Sequence, residues 1–225
     1  MVDLSIGGGS FKGLAFLGAL EYLHSMNYID NIENFYGCSV GSLIGVLYII
    51  GFTPREIIEE LCKLNFSEFW DPNLASLNTT FSLLSPKLFK YFGDLYRTKA
   101  QEITFKEFKE LYSVNLNILA VSITSRKLVT FNALNFPDTM ILDAVTASCS
   151  IPFIFPPVKI NNEYYVDGCV RCSSGCPNIP FRGYIIKLDQ TIQSFDNLSG
   201  YLREIFFTVI QTDEMENNKN TITLR

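Results

Sequence analysis

Residues 34–50 read Asn-Phe-Tyr-Gly-Cys-Ser-Val-Gly-Ser-Leu-Ile-Gly-Val-Leu-Tyr-Ile-Ile, and the fold class can be predicted from this segment. Residues 34–36 are typical of the end of a β-strand, and residues 43–50 form an apolar run that continues as a helix. A short turn, residues 37–41, separates the two. The stretch therefore predicts a strand, a sharp turn and a helix, which is the repeating unit of an α/β sheet.

The turn Gly37-Cys38-Ser39-Val40-Gly41 matches Gly-x-Ser-x-Gly, the nucleophile-elbow pattern. In such an elbow the serine stands on a tight strand-to-helix turn, and the flanking glycines let neighbouring chains approach without a Cβ clash. The N-terminus of the following helix favours negative charge that develops beside the serine. The pentapeptide alone is a weak signal, but the strand before it and the helix after it make Ser39 a candidate nucleophile.

A second glycine-rich turn lies near the N-terminus. The apolar strand Val2 to Ile6 leads into Gly7-Gly8-Gly9-Ser10-Phe11-Lys12-Gly13, and a helix follows whose leucines at 14, 17, 20 and 23 predict a buried face. Backbone N–H groups of such a loop can hold an anion or an oxyanion. Neither the dinucleotide pattern Gly-x-Gly-x-x-Gly nor the P-loop pattern fits. A plain tight turn is the alternative interpretation.

A serine nucleophile needs a base, and two residues are candidates. His24, the only histidine, lies near the end of the first predicted helix, where the helix dipole favours histidine, so we expect a structural or surface role. Asp167 ends an apolar strand and precedes Gly168, which permits a sharp turn. A partly buried aspartate can have a raised pKa and accept the serine proton directly. The alternative interpretation is that Asp167-Gly168 is merely a turn.

The remaining pattern predicts a three-layer α/β/α fold with a mixed, mainly parallel sheet. Strand and helix alternate early, and two hairpins come later, so that the sheet cannot be purely parallel. The predicted helices are 53–64, 86–96, 104–112, 138–148 and 198–214, and the predicted strands are 117–122, 128–131, 158–160, 164–166 and 184–188. Since no linker or repeat divides the sequence, we expect one domain over residues 1–225.

Residues 66–100 are rich in aromatic side chains interleaved with Lys and Arg. Such a segment is typical of an interfacial lid that inserts into a lipid surface. Ordinary core packing of a helix and its loop is the alternative, and it is slightly favoured.

Composition excludes several other classes of protein. The chain has 225 residues, 48% of them hydrophobic, and a net charge of −5 without any long basic run, so we expect no nucleic-acid partner. One histidine is too few for zinc enzymes that use several. No secretory segment is visible, and no apolar run reaches the ~20 residues of a membrane-spanning helix. We therefore expect an intracellular protein, soluble or peripheral to a membrane.

The six cysteines are expected to be free thiols. Three of them, Cys169, Cys172 and Cys176, lie close together in sequence and raise the question of zinc. A structural zinc site normally has four ligands in two paired groups, and no fourth ligand is near. Metal binding is therefore disfavoured at this cluster.

Four separated elements together resemble the patatin-like phospholipases. Three are the glycine loop with its basic residue, the Gly-x-Ser-x-Gly elbow and the later Asp-Gly. The fourth is Ala147-Ser148-Cys149-Ser150-Ile151-Pro152-Phe153-Ile154-Phe155-Pro156-Pro157, which is similar to the family's Ala-Ser-x-x-Ile-Pro-x-x-Phe-Pro-Pro. The resemblance covers residues 6–180, most of the chain.

The resemblance implies a Ser-Asp dyad that requires no histidine, with Ser39 as nucleophile and Asp167 as base. It implies an oxyanion hole of backbone N–H groups in the first glycine turn, with a basic residue beside them: Gly8, Gly9, Ser10 and Lys12. The implied reaction is cleavage of fatty-acyl esters of glycerophospholipids, of the phospholipase A or lysophospholipase type, through an acyl-enzyme. The family uses no metal or cofactor for this chemistry, and some members need an activating protein partner.

Three departures from the family pattern keep a second interpretation open. Ser10 stands where the family usually has Gly, and Cys169 follows Asp167-Gly168 where the family has Gly or Ala. The family's Asn-x-Pro appears as residues 178–180, displaced by the cysteine-rich insertion. A catalytically weak or inactive lipid-binding module with the same fold is therefore the alternative. An acyl transferase is disfavoured, because such enzymes generally pair the serine with a histidine.

Overall fold

Strands and helices alternate from the N-terminus, as the sequence predicts. The computed structural model describes residues 1–65, 68–69, 87–172, 181–188 and 221–224. The strands are β1 Val2–Ile6, β2 Ile32–Cys38, β3 Asn115–Ser122, β4 Lys127–Phe131, β5 Val158–Ile160, β6 Glu163–Asp167, β7 Gly183–Leu188 and β8 Thr221–Leu224. The helices are α1 Leu14–Ser25, α2 Val40–Ile49, α3 Pro54–Cys62, α4 Lys87–Arg97, α5 Phe105–Tyr112 and α6 Ile141–Ser148.

The described strands form one mixed sheet in the order β5-β6-β3-β2-β1-β7-β8, with β4 paired to β3 as well. Strands β3, β2, β1, β7 and β8 run parallel to one another. Strands β4 and β6 run antiparallel to β3, and β5 runs antiparallel to β6. The fold is α/β with three layers, and the predicted mixed, mainly parallel sheet is confirmed.

One edge of β3 is shared by two strands that meet end to end. Strand β2 runs parallel to β3 and ends where Cys38 pairs with Leu119. Strand β6 runs antiparallel to β3 and ends where Asp167 pairs with Ala120. The other edge of β3 is occupied by β4 over Ile118 to Ser122. Because β2 and β6 run in opposite directions, their C-terminal ends face each other along β3.

Helix α2 lies unusually close to the strands beneath it, because glycines face them. A Cβ atom at Gly41 would overlap the carbonyl oxygens of Ile6 and Gly7, at the end of β1. One turn later, a Cβ at Gly45 would overlap the ring of Phe35 in β2. These contacts hold the first turn of α2 directly against the ends of β1 and β2.

Helix α1 is confirmed, but its predicted buried face is partly wrong. Leu17, Leu20 and Leu23 are buried, whereas Leu14 is 48% exposed. Leu14 and Leu23 are nine residues apart, which is two and a half turns of an α-helix. Their side chains therefore point to opposite sides of α1 and cannot share one face. Phe16, which is fully buried, covers the glycine loop from this helix.

The helices predicted at residues 53–64 and 104–112 are confirmed as α3 and α5, and each begins with a capping box. Thr53 and Glu56 form a capping box at α3, and Thr104 and Glu107 form one at α5. Helix α6 begins at Ile141 rather than at 138. The residues before it lie beside the start of α5 instead. There the Thr139 carbonyl accepts a hydrogen bond from the Phe105 N–H, and the Pro137 carbonyl accepts one from the Lys106 N–H.

Both predicted hairpins are confirmed, with each strand within two residues of its predicted bounds. Strand β8 was not predicted; it pairs in parallel with β7. The predicted helix at 198–214 lies outside the described residues. The predicted lid at residues 66–100 lies partly outside the described residues. Its described helix, α4, buries Leu88, Leu95 and Tyr96. The Phe89 ring of the same helix packs on Phe155, with 4.7 Å between the ring centroids.

Within the described ranges, every helix is too short or too polar to cross a lipid bilayer.

Replacing Gly41 with Ala should destabilise the fold by about 1–3 kcal/mol or more, because the added methyl group meets main-chain oxygens that cannot move independently. Gly18→Ala is the matched control, since nothing lies within 4 Å of a Cβ at that helical position. The control should stabilise the chain by about 0.5–1 kcal/mol. Denaturant unfolding measures both changes, and equal effects at the two positions would contradict the close packing of α2.

Candidate active site

Ser39 occupies the turn between β2 and α2 in a strained backbone conformation. Its φ and ψ angles are 53° and −134°, and a positive φ is rare for a residue with a Cβ atom. The residue is 4% exposed. Such strain costs about 1–3 kcal/mol and persists only where surrounding contacts enforce it.

Contacts on both sides enforce this turn. The Ser39 N–H donates to the Ser148 hydroxyl at 2.9 Å, and that hydroxyl donates to the Leu119 carbonyl at 2.6 Å. The Ser39 carbonyl accepts hydrogen bonds from the N–H of Ser42 at 2.9 Å and from its hydroxyl at 2.6 Å. Both main-chain polar groups of Ser39 are therefore fixed by the protein.

The hydroxyl of Ser39 donates to a buried carboxylate. Its Oγ lies 2.6 Å from Oδ2 of Asp167, the last residue of β6. The second oxygen, Oδ1, accepts from the Cys169 N–H at 2.8 Å. Asp167 is 2% exposed. The sequence prediction that these two residues act together thus corresponds to a direct hydrogen bond between positions 128 residues apart.

The turn after Asp167 needs a glycine. A Cβ atom at Gly168 would overlap the Leu119 carbonyl oxygen and lie 2.8 Å from the Cys38 sulfur. The absence of a side chain there lets the short 3-10 helix Gly168–Val170 begin directly against β3. The Asp-Gly pair is therefore more than a surface turn.

Burial raises the pKa of Asp167 from 3.8 to about 6. The hydrogen bonds from Ser39 and from the Cys169 N–H oppose this rise, because they stabilise the charged form. No ion pair of Asp167 occurs among the described residues. The carboxylate is thus ionised at neutral pH but is basic enough to share the serine proton.

Two serines that hold the pair had no predicted role. Ser148 orients the elbow through the bonds given above, and the Ser150 carbonyl accepts the Asp167 N–H at 2.9 Å. Both are fully buried. They belong to the Ala-Ser-x-x-Ile-Pro segment that carries the family resemblance, so the motif was visible in the sequence while its positioning role was not.

The first glycine loop lies beside the serine. A Cβ atom at Gly8 would be 3.4 Å from the Cβ of Ser39, and one at Gly13 would be 2.5 Å from Val40. The loop continues through Gly9 into a 3-10 helix that contains Ser10 and the exposed Lys12. The two glycine-containing turns, predicted separately, are therefore in contact at one site.

His24 lies away from this site. Its Nδ1 is hydrogen bonded to the Tyr48 hydroxyl at 2.9 Å, and the residue is exposed. Tyr48 is near the end of α2, about 13 Å along the helix axis from Ser39 at its start. The expected structural or surface role of His24 agrees with these contacts.

Among the residues that the structure describes, none of the cysteines is joined in a disulfide bond. Cys38 and Cys169 lie in contact, with 3.4 Å between their sulfur atoms. Cys172 packs in the same buried cluster, whereas Cys176 and the 178–180 segment lie outside the described residues. Burial raises the pKa of the Cys38 thiol well above 9.0.

A strained serine at a strand-turn-helix, bonded to a buried carboxylate, defines a class of α/β proteins with a nucleophile elbow. The family model of the patatin-like phospholipases matches residues 4–183. The chain belongs to this family of lipid hydrolases.

Individual relatives agree with this assignment. The chain is 36% identical over 175 residues to the probable lipid hydrolase 463L of Invertebrate iridescent virus 6, covering 74% of this chain and 59% of that protein. It has the fold of VipD from Legionella pneumophila, with a TM-score of 0.58 and 15% identity over 90% of this chain and 52% of VipD. It also has the fold of the type III effector ExoU, with a TM-score of 0.59 and 16% identity over 99% of this chain and 46% of ExoU. The chain therefore spans about half to three fifths of these proteins.

Ser39→Gly should be more stable than Ser39→Ala by about 1 kcal/mol. Glycine relieves the positive φ, and this gain exceeds the entropy that glycine adds to the unfolded chain. Ser25, the last residue of α1, is the matched control: its backbone is helical, so there the alanine variant should be the more stable one. Denaturant unfolding of the four variants tests the strain, and the same order at both positions would disprove it.

Asp167→Asn should change how stability depends on pH. Between the unfolded pKa of 3.8 and the folded pKa of about 6, the folded chain keeps a proton that the unfolded chain releases. The stability contributed by this group is complete below pH 3.8 and is lost as pH rises through about 6, which amounts to about 3 kcal/mol. Asparagine does not titrate, so the variant should gain stability relative to the parent across this window. A difference that stays constant with pH would contradict the raised pKa.

Proposed function

We propose that this chain is a serine acyl hydrolase that cleaves fatty-acyl esters of glycerophospholipids, as a phospholipase A or lysophospholipase. The observation that carries the proposal is the 2.6 Å hydrogen bond from the Ser39 hydroxyl to the buried Asp167 carboxylate. Membership of a lipid hydrolase family supports an ester of a lipid as substrate. The viral relative named probable lipid hydrolase supports the same substrate class.

The reaction begins with proton transfer from Ser39 to Asp167. As Ser39 Oγ attacks the ester carbonyl carbon, its proton passes to Oδ2 of Asp167. The tetrahedral intermediate collapses when Asp167 returns the proton to the leaving alcohol, which leaves an acyl-enzyme on Ser39. Water then gives its proton to Asp167 and attacks the acyl carbon, and the fatty acid leaves as Ser39 recovers its proton.

The oxyanion requires N–H donors, and the glycine loop is the best source. The Ser39 N–H is already bonded to Ser148, so it is not available to the substrate. Backbone N–H groups of Gly8, Gly9 and Ser10 lie in the loop that contacts the serine, and the start of α2 favours the developing charge. The exposed Lys12 adds positive charge to the same turn.

The proposed site of action is a lipid surface, and an activating protein is compatible with the family. A solved structure contains full-length ExoU from Pseudomonas aeruginosa in complex with full-length SpcU. Labelling of Ser39 by a fluorophosphonate supports the enzyme, and labelling without fatty-acid release from vesicles supports a need for a protein activator. No labelling of the folded chain supports the alternative, an inactive lipid-binding module.

Ser39→Ala and Asp167→Asn should each lower fatty-acid release by about a thousandfold or more, because one removes the nucleophile and the other the base. The assay is hydrolysis of a mixed lipid panel with products identified by mass. For the parent, kcat/KM should rise with pH through about 6, since Asp167 must be ionised to accept the proton.

His24→Ala is the control and should retain activity, because His24 contacts Tyr48 rather than the Ser-Asp pair. An inactive His24→Ala together with an active Asp167→Asn would overturn the assignment of the base.

A further inference from the structure

Two thiols beside the Ser-Asp pair have no part in the proposed reaction. Cys38 precedes Ser39 and Cys169 follows Asp167 by two residues, and their sulfur atoms are 3.4 Å apart. The two sulfur atoms and a carboxylate oxygen of Asp167 all lie within 4.8 Å of one another. Cys38 is fully buried and Cys169 is partly exposed as a residue, with its sulfur atom packed against Gly8 of the glycine loop.

We propose that Cys38, Cys169 and Asp167 form an inhibitory binding site for a thiophilic divalent cation of the Zn²⁺ type. This site differs from the one that the local sequence suggested, which consisted of Cys169, Cys172 and Cys176. It depends on Cys38, which is 131 residues away from Cys169 in sequence. The sheet brings them together where β2 ends and the turn after β6 begins.

The spacing of the cluster suits a tetrahedral ion. With Zn–S bonds of about 2.3 Å, two thiolates on one tetrahedral ion are about 3.8 Å apart. The two sulfur atoms here would separate by only about 0.4 Å to reach that spacing. One carboxylate oxygen of Asp167 supplies the third ligand. A water molecule would complete the four ligands.

The donor set selects the class of cation. Two thiolates and one carboxylate favour soft or borderline ions such as Zn²⁺ and Cd²⁺ over Mg²⁺ and Ca²⁺, which prefer oxygen ligands alone. Binding balances in charge, because the divalent ion replaces the two thiol protons, which pass to the solvent. The buried cluster therefore takes up the ion without any net change of charge.

Inhibition follows from the third ligand and rests on the proposed function. A carboxylate bound to the cation can no longer accept the Ser39 proton, because its charge is shared with the metal. Ser39 then lacks the base that the proposed hydrolysis needs. Removal of the ion by a chelator restores that base, so the effect is reversible.

Cadmium titration of the purified, phosphine-reduced chain tests the binding site without reference to activity. Cd²⁺ on thiolates gives an ultraviolet charge-transfer absorption, and we expect it to saturate at one ion per chain. Cys38→Ala and Cys169→Ala should each lose this absorption. Cys169→Ala places an alanine where the family has Gly or Ala, so it tests Cys169 as a ligand even where Cys38→Ala fails to fold. Cys62→Ala is the matched control and should keep the full signal, since Cys62 is exposed on α3.

The same Cd²⁺ or Zn²⁺ concentrations should inhibit fatty-acid release by the parent and by Cys62→Ala, and a chelator should reverse the inhibition. Cys169→Ala should lose this sensitivity relative to its own metal-free rate. Absence of the absorption from the parent, or its persistence in Cys169→Ala, would overturn the site. Binding without inhibition would overturn its inhibitory role. A chain that hydrolyses no lipid in the absence of metal would count against the proposed function alone, because the absorption still decides whether the site exists.

Discussion

The structure depends on the shared edge of strand β3. A parallel strand and an antiparallel strand meet there, so two C-terminal strand ends face each other. A purely parallel sheet would place all such ends in a row, each one strand apart. Here Cys38, the residue before Ser39, pairs with Leu119, and Asp167 pairs with the next residue of β3, Ala120. Ser39 and Asp167 therefore come within hydrogen-bonding distance without a long side chain. The mixed direction of the sheet is thus a requirement of the site.

Two energetic costs are concentrated at this junction: the strained backbone of Ser39 and the desolvated carboxylate of Asp167. Each is of the order of a few kcal/mol. Rigid neighbours maintain both. One is the first turn of α2, which packs on the ends of β1 and β2. The other is the end of α6, where Ser148 and, just beyond the helix, Ser150 are hydrogen bonded to Ser39 and Asp167. A site that is unfavourable for stability is therefore held by elements that have little freedom to relax.

Local sequence patterns predicted most of the elements and both members of the Ser-Asp pair. The elbow and the capping boxes depend on residues within a few positions of each other, and such signals survive in one sequence. Leu14 was misassigned because a three-residue spacing drifts around the helix. The contact of Cys38 with Cys169 and the role of Ser148 depend on the register of distant strands, which no local pattern encodes.

The separation of Ser39 and Asp167 by 128 positions in the sequence has a consequence for the order of events during synthesis. Strands β1 and β2 and the elbow leave the ribosome long before β6. A nascent chain therefore carries the serine and the glycine loop without the carboxylate. The pair is assembled only when β6 docks on β3. Any lipid-cleaving capacity then arises late, as a property of the assembled sheet rather than of its N-terminal half.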